Sequence, residues 1–262
     1  MKKAALALTA LVSFTGSGFA ADLGARSYSK APVPMMAAPS WTGFYIFGGA
    51  GGGLWAADSN VVFQGTGLPL TRDQRLGGSG WYGTIGAGYD WQVNSGWLIG
   101  ILADGQFGSI RGSITDRTIE GTEKLRTSYA AGIRLGYLVA PNVLSYVNVG
   151  YSGSEWSGSS YSSLLTAFPG SVSTTPSFHR NGFFVGGGVE NNLNIFGISA
   201  PGWFMKTEYR SAFYDRVTLP ESFVDTGLPT SDSVTFKPWV QTISTSLVYR
   251  FNWGGAPISA GY

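Results

Sequence analysis

"GTIGAGYDWQV", residues 83–93, alternates so regularly that its two faces separate completely. Ile85, Ala87, Tyr89, Trp91 and Val93 share one side of an extended chain, and Thr84, Gly86, Gly88, Asp90 and Gln92 share the other. One face is large and apolar; the other mixes glycines with isolated polar groups. Which of them meets water decides the fold.

The same division recurs. Over 125–139, Tyr129, Ala131, Ile133, Leu135, Tyr137 and Val139 oppose Ser128, Ala130, Gly132, Arg134 and Gly136. Phe183, Val185 and Val189 oppose Gly186, Gly188 and Glu190, and Trp203, Met205, Thr207, Tyr209 and Phe213 oppose Lys206, Glu208 and Arg210. A soluble barrel would bury the large apolar side chains and coat itself with charge, but here its coat would be the glycine face. Glycines lining a narrow lumen leave room for the few large polar side chains beside them. The Ile85 face therefore meets lipid.

Composition agrees. Charged residues are 12% of the chain, about half the usual share for a soluble domain, while aromatics reach 15% and glycines number 39. Beyond the N-terminal leader no apolar run approaches the ~18 residues of a spanning helix. A closed β-barrel is the remaining way to pair every backbone group in lipid. The fold class expected is all-β: an eight-stranded antiparallel transmembrane barrel with a polar lumen.

Eight strands follow from the period-two pattern and the turn signals: 41–55, 81–93, 97–110, 125–139, 143–152, 181–191, 203–213 and 239–251. Short turns at 94–96 and 140–142 alternate with long connections, among them Ser/Thr-rich 153–180 and 214–238, the pattern of an outer-membrane barrel with both termini in the periplasm. Ahead of the barrel, Lys2 and Lys3, the apolar run 4–12 and Gly18-Phe19-Ala20 read as a secretory signal peptide over 1–20. Residues 21–40 form an extended periplasmic lead-in, 41–253 the barrel and 254–262 a C-terminal extension. There is no cysteine to staple the fold. With the two leader lysines removed, 15 of the 17 basic residues face 15 acidic ones, so a nucleic-acid partner gains no support.

The charges expected inside balance: Asp90, Asp104, Glu190 and Glu208 against Arg134, Lys206, Arg210 and Arg250. Either they pair and fill the interior, or they form a polar plug that gates a path for small solutes. Trp41, Trp55, Trp81, Trp97, Trp203, Trp239 and Trp253 stand near strand ends, as aromatic girdles do. "GGAGGG" (48–53) lacks the Gly-Lys-Ser/Thr of a phosphate loop. His179 is the one histidine, and a metal site or Ser-His hydrolase would need more. No catalytic residue, metal or cofactor is expected, and residue type alone makes His179 a conceivable haem contact.

"ADLGARSYSKAP" (21–32) followed by "SWTGFY" (40–45), with "GGGVE" (186–190), "KTEYR" (206–210) and "LVYRF" (247–251), resembles the alphaproteobacterial small outer-membrane β-barrel family, related to opacity-type surface antigens and OmpA-type eight-strand barrels. The resemblance spans essentially the whole chain after the leader. It implies an abundant surface antigen or envelope-stabilising protein among outer-membrane lipid and lipopolysaccharide; some members are classed as porins and a few are linked to haemin. It brings no catalytic residues. It places the signal read by the barrel assembly machinery at Tyr249 and Phe251, although Leu247 stands where many such signals have glycine and the chain runs on to Tyr262.

Overall fold

The computed structural model describes residues 40–115, 119–164, 170–195 and 198–251. The leader, the lead-in up to residue 39 and the C-terminal extension, with Trp253 and Tyr262, lie outside them. Eleven antiparallel strands are described: β1 (Gly43–Phe63), β2 (Gln74–Gln92), β3 (Trp97–Thr115), β4 (Ile119–Ala140), β5 (Val143–Trp156), β6 (Ser160–Ser163), β7 (Gly170–Thr174), β8 (Phe178–Ile195), β9 (Ile198–Tyr214), β10 (Val217–Phe223) and β11 (Pro229–Arg250). Eight close a ring in the order β1-β2-β3-β4-β5-β8-β9-β11, and the seam is a continuous β1/β11 ladder from Tyr45↔Arg250 to Phe63↔Asp232. Closure leaves no edge, as lipid requires.

Around this ring runs a belt of outward apolar side chains. On β3 it extends from Trp97 through Ile99 and Ile101 to Phe107, and on β4 from Tyr137 through Leu135 and Ile133 to Tyr129, all exposed. That length matches the 9–11 residues a tilted strand needs to cross a bilayer. Aromatic rows bound the belt. At the end where β1 starts and β11 finishes, Trp97 packs on Tyr137 (5.0 Å between centroids) and Trp203 on Tyr249 (5.1 Å); at the distal end, Phe183 packs on Phe213 (5.2 Å) and Phe213 on Trp239 (5.8 Å). Trp81, 81% exposed, joins the distal row.

Two expectations need correction. Trp41 and Trp55 are each 1% exposed and point into the lumen, so neither belongs to a girdle. They share the odd-numbered parity of β1 with Gly43, Gly49, Gly51 and Gly53, which point inward. The expected strands were also too short and the long connections too unstructured. The 153–180 segment contains β6 and β7, and 214–238 contains β10 and the start of β11. Beyond the belt, β6, β7 and β10 take the places of β5, β8 and β9, so the sheet continues as β4-β6-β7-β10-β11. Their outward side chains meet water, so the alternation of large apolar against glycine disappears there.

Two distal hairpins repeat one turn. Phe63-Gln64-Gly65-Thr66-Gly67-Leu68-Pro69 and Phe223-Val224-Asp225-Thr226-Gly227-Leu228-Pro229 share Phe-x-x-Thr-Gly-Leu-Pro. In both, the glycine after Thr has positive φ (68° at Gly67, 69° at Gly227) and donates its N–H to the Phe carbonyl at 2.9 Å. The strands they join, β1 with β2 and β10 with β11, meet at the seam, where Gln64 N–H bonds Ser231 O at 2.7 Å.

Lumen space is set by glycine. A Cβ at Gly88 would collide with the Tyr45 ring and one at Gly86 with Phe47, whereas one at outward Gly83 would find only backbone oxygens at 3.8 and 4.0 Å. Gly88→Val is expected to lower the urea midpoint of the folded barrel by the equivalent of about 1–3 kcal/mol or to block folding. Gly83→Val should leave the midpoint unchanged; the heat-sensitive gel shift of the purified protein across a urea series reads both.

Candidate functional site

All eight charges expected inside are there and buried, none more than 8% exposed. They form two groups. In the first, Arg134 and Arg250 each bridge the same two carboxylates: Arg134 Nε donates to Asp90 Oδ1 (2.7 Å) and Nη1 to Glu190 Oε2 (3.3 Å), while Arg250 Nε donates to Glu190 Oε1 (2.7 Å) and Nη2 lies 2.9 Å from Asp90 Oδ2. A second contact joins Arg134 Nη2 to Asp90 Oδ2. In the second group Arg210 makes a fork onto Asp104 (2.9 and 2.7 Å) and also donates to Glu208 (2.7 Å). Glu208 further accepts from Tyr146 Oη (2.8 Å) and Asn148 Nδ2 (3.1 Å), with Lys206 Nζ at 3.7 Å.

The remaining faces of the cations are covered by rings. Arg134 lies over Tyr45 (4.5 Å), Lys206 over Phe47 (3.3 Å), Arg210 over Phe184 (4.5 Å) and Arg250 over Trp41 (4.5 Å). Tyr45, Phe47 and Phe184, with Tyr146 and Asn148, were absent from the sequence-derived set, and Trp41 stood in it only as a girdle residue. Their parity was the available signal, because each lies on its strand's inward face.

Apolar layers close the network at both ends. Toward the end where β1 starts and β11 finishes lie Trp41, Leu98, Leu144, Phe204 and Val248, each 0–1% exposed. Toward the distal end Trp55, Trp156 and Phe236 pack edge to face at 5.3–5.7 Å, joined by Phe178, Tyr214, Ile110 and Leu125. Each buried carboxylate depends on its cations, so Arg134→Met should destabilise the barrel by about 3–5 kcal/mol. Adding Glu190→Gln should recover part of that loss, as read by urea unfolding in lipid vesicles.

Beyond the distal aromatic row a second polar cluster is enclosed by β4, β6, β7 and β10. Glu123 is 2% exposed and accepts from Ser159 Oγ (2.7 Å) and Lys124 N–H (3.1 Å); Glu221, 6% exposed, accepts from Ser173 Oγ (2.9 Å). Burial pushes the Glu123 carboxyl up to about 7, against the smaller opposing effect of its hydrogen bonds. Folding therefore favours the protonated acid: the contribution is full below the ordinary value of 4.5 and is lost as pH rises through about 7. Amide exchange in β4 and β6, corrected for intrinsic rates, should be slower at pH 5 than at pH 8, and Glu123→Gln should remove most of that difference.

His179, on β8, is exposed and stands opposite Glu155 of β5. It lines a crevice of ≈ 340 Å³ with Arg126, Glu155, Trp156, Ser177 and Phe178. Among the described residues no group of three or more His, Cys, Asp or Glu side chains is placed to hold a metal ion. At the seam, Tyr249 and Phe251 contact each other edge to face (5.0 Å), and Phe251, 52% exposed, also packs on Phe44 (5.4 Å).

The chain is 26% identical over 220 residues to the 31 kDa outer-membrane immunogenic proteins of Brucella melitensis biotype 1 and Brucella suis biovar 1, covering 80% of this chain and 85% of each relative. The crystal structure of Neisserial surface protein A is similar at 15% identity over 80% of this chain and 98% of that one, with a TM-score of 0.37, and nothing about activity follows from it. The model of the outer membrane protein beta-barrel domain matches residues 28–251. A closed eight-strand ring, a lipid-facing belt and a match over most of the sequence agree, and the chain belongs to the outer membrane protein beta-barrel domain family.

Proposed function

We propose that this outer-membrane protein is a sealed structural and surface barrel, with its distal end outside the cell and its termini in the periplasm, rather than a channel. The observation that carries this reading is the layering of the lumen. A paired charge network lies between two apolar layers whose largest members, Trp41, Phe204, Trp55 and Trp156, are 0–1% exposed. An eight-strand barrel encloses about the volume that side chains can fill. A gate would need charges free to rearrange, yet here each cation is held by carboxylates and covered by a ring.

The orientation is supported by the sheet itself, which among the described residues extends far past the belt only at the end opposite the start of β1 and the finish of β11. The Brucella relatives are outer-membrane immunogenic proteins by name, which supports a non-enzymatic, exposed role. Purified protein in a planar bilayer is expected to stay silent, and to stay so in Arg134→Ala and Glu190→Ala, because the apolar layers remain. Discrete conductance steps in the wild type, or steps that grow in either variant, would return the network to the role of gate.

A further inference from the structure

On the outer wall just past the distal aromatic row, Arg111 of β3 and Lys124 of β4 are direct cross-strand partners. Like charges placed opposite each other on a sheet are destabilising unless something lies between them. At the seam the opposite arrangement holds: Asp58 stands between Arg75 of β2 and Lys237 of β11, and Arg75 pairs with it at 3.6 Å. On the β3/β4 wall no carboxylate answers: among the described residues, neither Arg111 nor Lys124 takes part in an ion pair, and the Arg111 Nε–H goes to Ser109 Oγ at 2.8 Å.

A third cation joins them. The β4/β5 register shifts between Leu125 and Thr127, and this bulge leaves Arg126 exposed beside Lys124, on the rim of the crevice shared with Glu155, Ser177 and His179. Arg126 likewise has no ion pair among the described residues. Immediately below, toward the belt, Phe107, Tyr129, Tyr151 and Phe183 are 39–55% exposed and face lipid.

We propose that this wall binds the phosphorylated headgroup of an anionic glycolipid. Phosphate sits on Arg111, Lys124 and Arg126, the sugar enters the crevice where Glu155, Ser177 and His179 offer hydrogen-bonding groups, and the acyl chains lie along Tyr129, Tyr151 and Phe183. Phosphate is the chemistry the three cations select. A lipid source is favoured over a free anion because the site opens onto the belt's edge, where a membrane-anchored headgroup is held at high effective concentration. The inference rests on the reading that the distal end of the barrel lies in the glycolipid-bearing leaflet.

The test uses the full processed protein in neutral phosphatidylcholine bicelles doped with diphosphorylated lipid A, with retained lipid counted by native mass spectrometry. Wild type is expected to hold lipid A at least tenfold better than Arg111→Gln/Lys124→Gln/Arg126→Gln, and Lys237→Gln, which stands opposite Asp58 on the seam wall, should behave as wild type. Dephosphorylated lipid A should not be retained, and millimolar pyrophosphate should not displace the intact lipid. Equal retention by the triple variant would overturn the site. Full displacement by pyrophosphate would make it a free-anion site, and equal retention of phosphatidylglycerol would remove the sugar from recognition, so either would overturn the glycolipid assignment. The heat-sensitive gel shift of every variant keeps these outcomes separate from failure of the barrel reading, which would abolish that shift in the wild type. Surface labelling of intact cells at the 223–229 turn tests the orientation independently.

Discussion

Eight strands enclose so little space that each large side chain admitted to the lumen needs a vacancy opposite it. Glycine supplies the vacancies. Gly86 and Gly88 make room for Phe47 and Tyr45, Gly100 for the Asp90 carboxylate, and Gly186 and Gly188 for Asn148 and Tyr146. The high glycine content is thus the complement of the interior network, residue against residue. It also explains why the outward face could be given over to large apolar side chains without crowding the ladder.

Once the space is fixed, the charges have little freedom. In the inner square of Asp90, Arg134, Glu190 and Arg250, both cations touch both anions, so no single ion pair can open without leaving a buried charge partly uncompensated. Rings over Arg134, Arg210 and Arg250 occupy directions that water would otherwise take. Such a network is a poor source of net stability compared with an apolar core of the same volume. Its value lies in register, because shifting any strand by one residue would turn these charges into lipid.

The belt and the lumen network were legible in the sequence because period-two patterning survives wherever one face meets lipid. All eight interior charges could be found from parity alone. Trp41 and Trp55 were misassigned because position at a segment end was weighed above parity: both share a face with Gly49, Gly51 and Gly53. The distal strands were missed for a different reason. In "VTLPESF" (217–223), Val217, Leu219 and Glu221 are buried while Thr218 and Pro220 are exposed, a short alternation with a polar outer face that looks like loop when measured against the belt. The duplicated Phe-x-x-Thr-Gly-Leu-Pro was present as a repeat, and it marks two hairpins that meet at the seam.

Along single strands the sense of the alternation reverses at the distal aromatic row. Within the belt β4 points Arg134 inward and Ile133 outward; past it, the same strand points Leu125 inward and Lys124 and Arg126 outward. On β1 the inward positions pass from glycines to Trp55 and Ala57 while Asp58 turns out. The distal part is thus organised as a water-facing barrel continuous with a membrane barrel, and on β1 and β4 the boundary between two solvents is written as a change of sign. At that boundary the outward side chains change from ring to cation within a few residues. An amphiphile with a charged headgroup and apolar chains presents the same change of polarity over the same distance, which is why the β3/β4 wall, where three cations have no ion pair among the described residues, is matched to one.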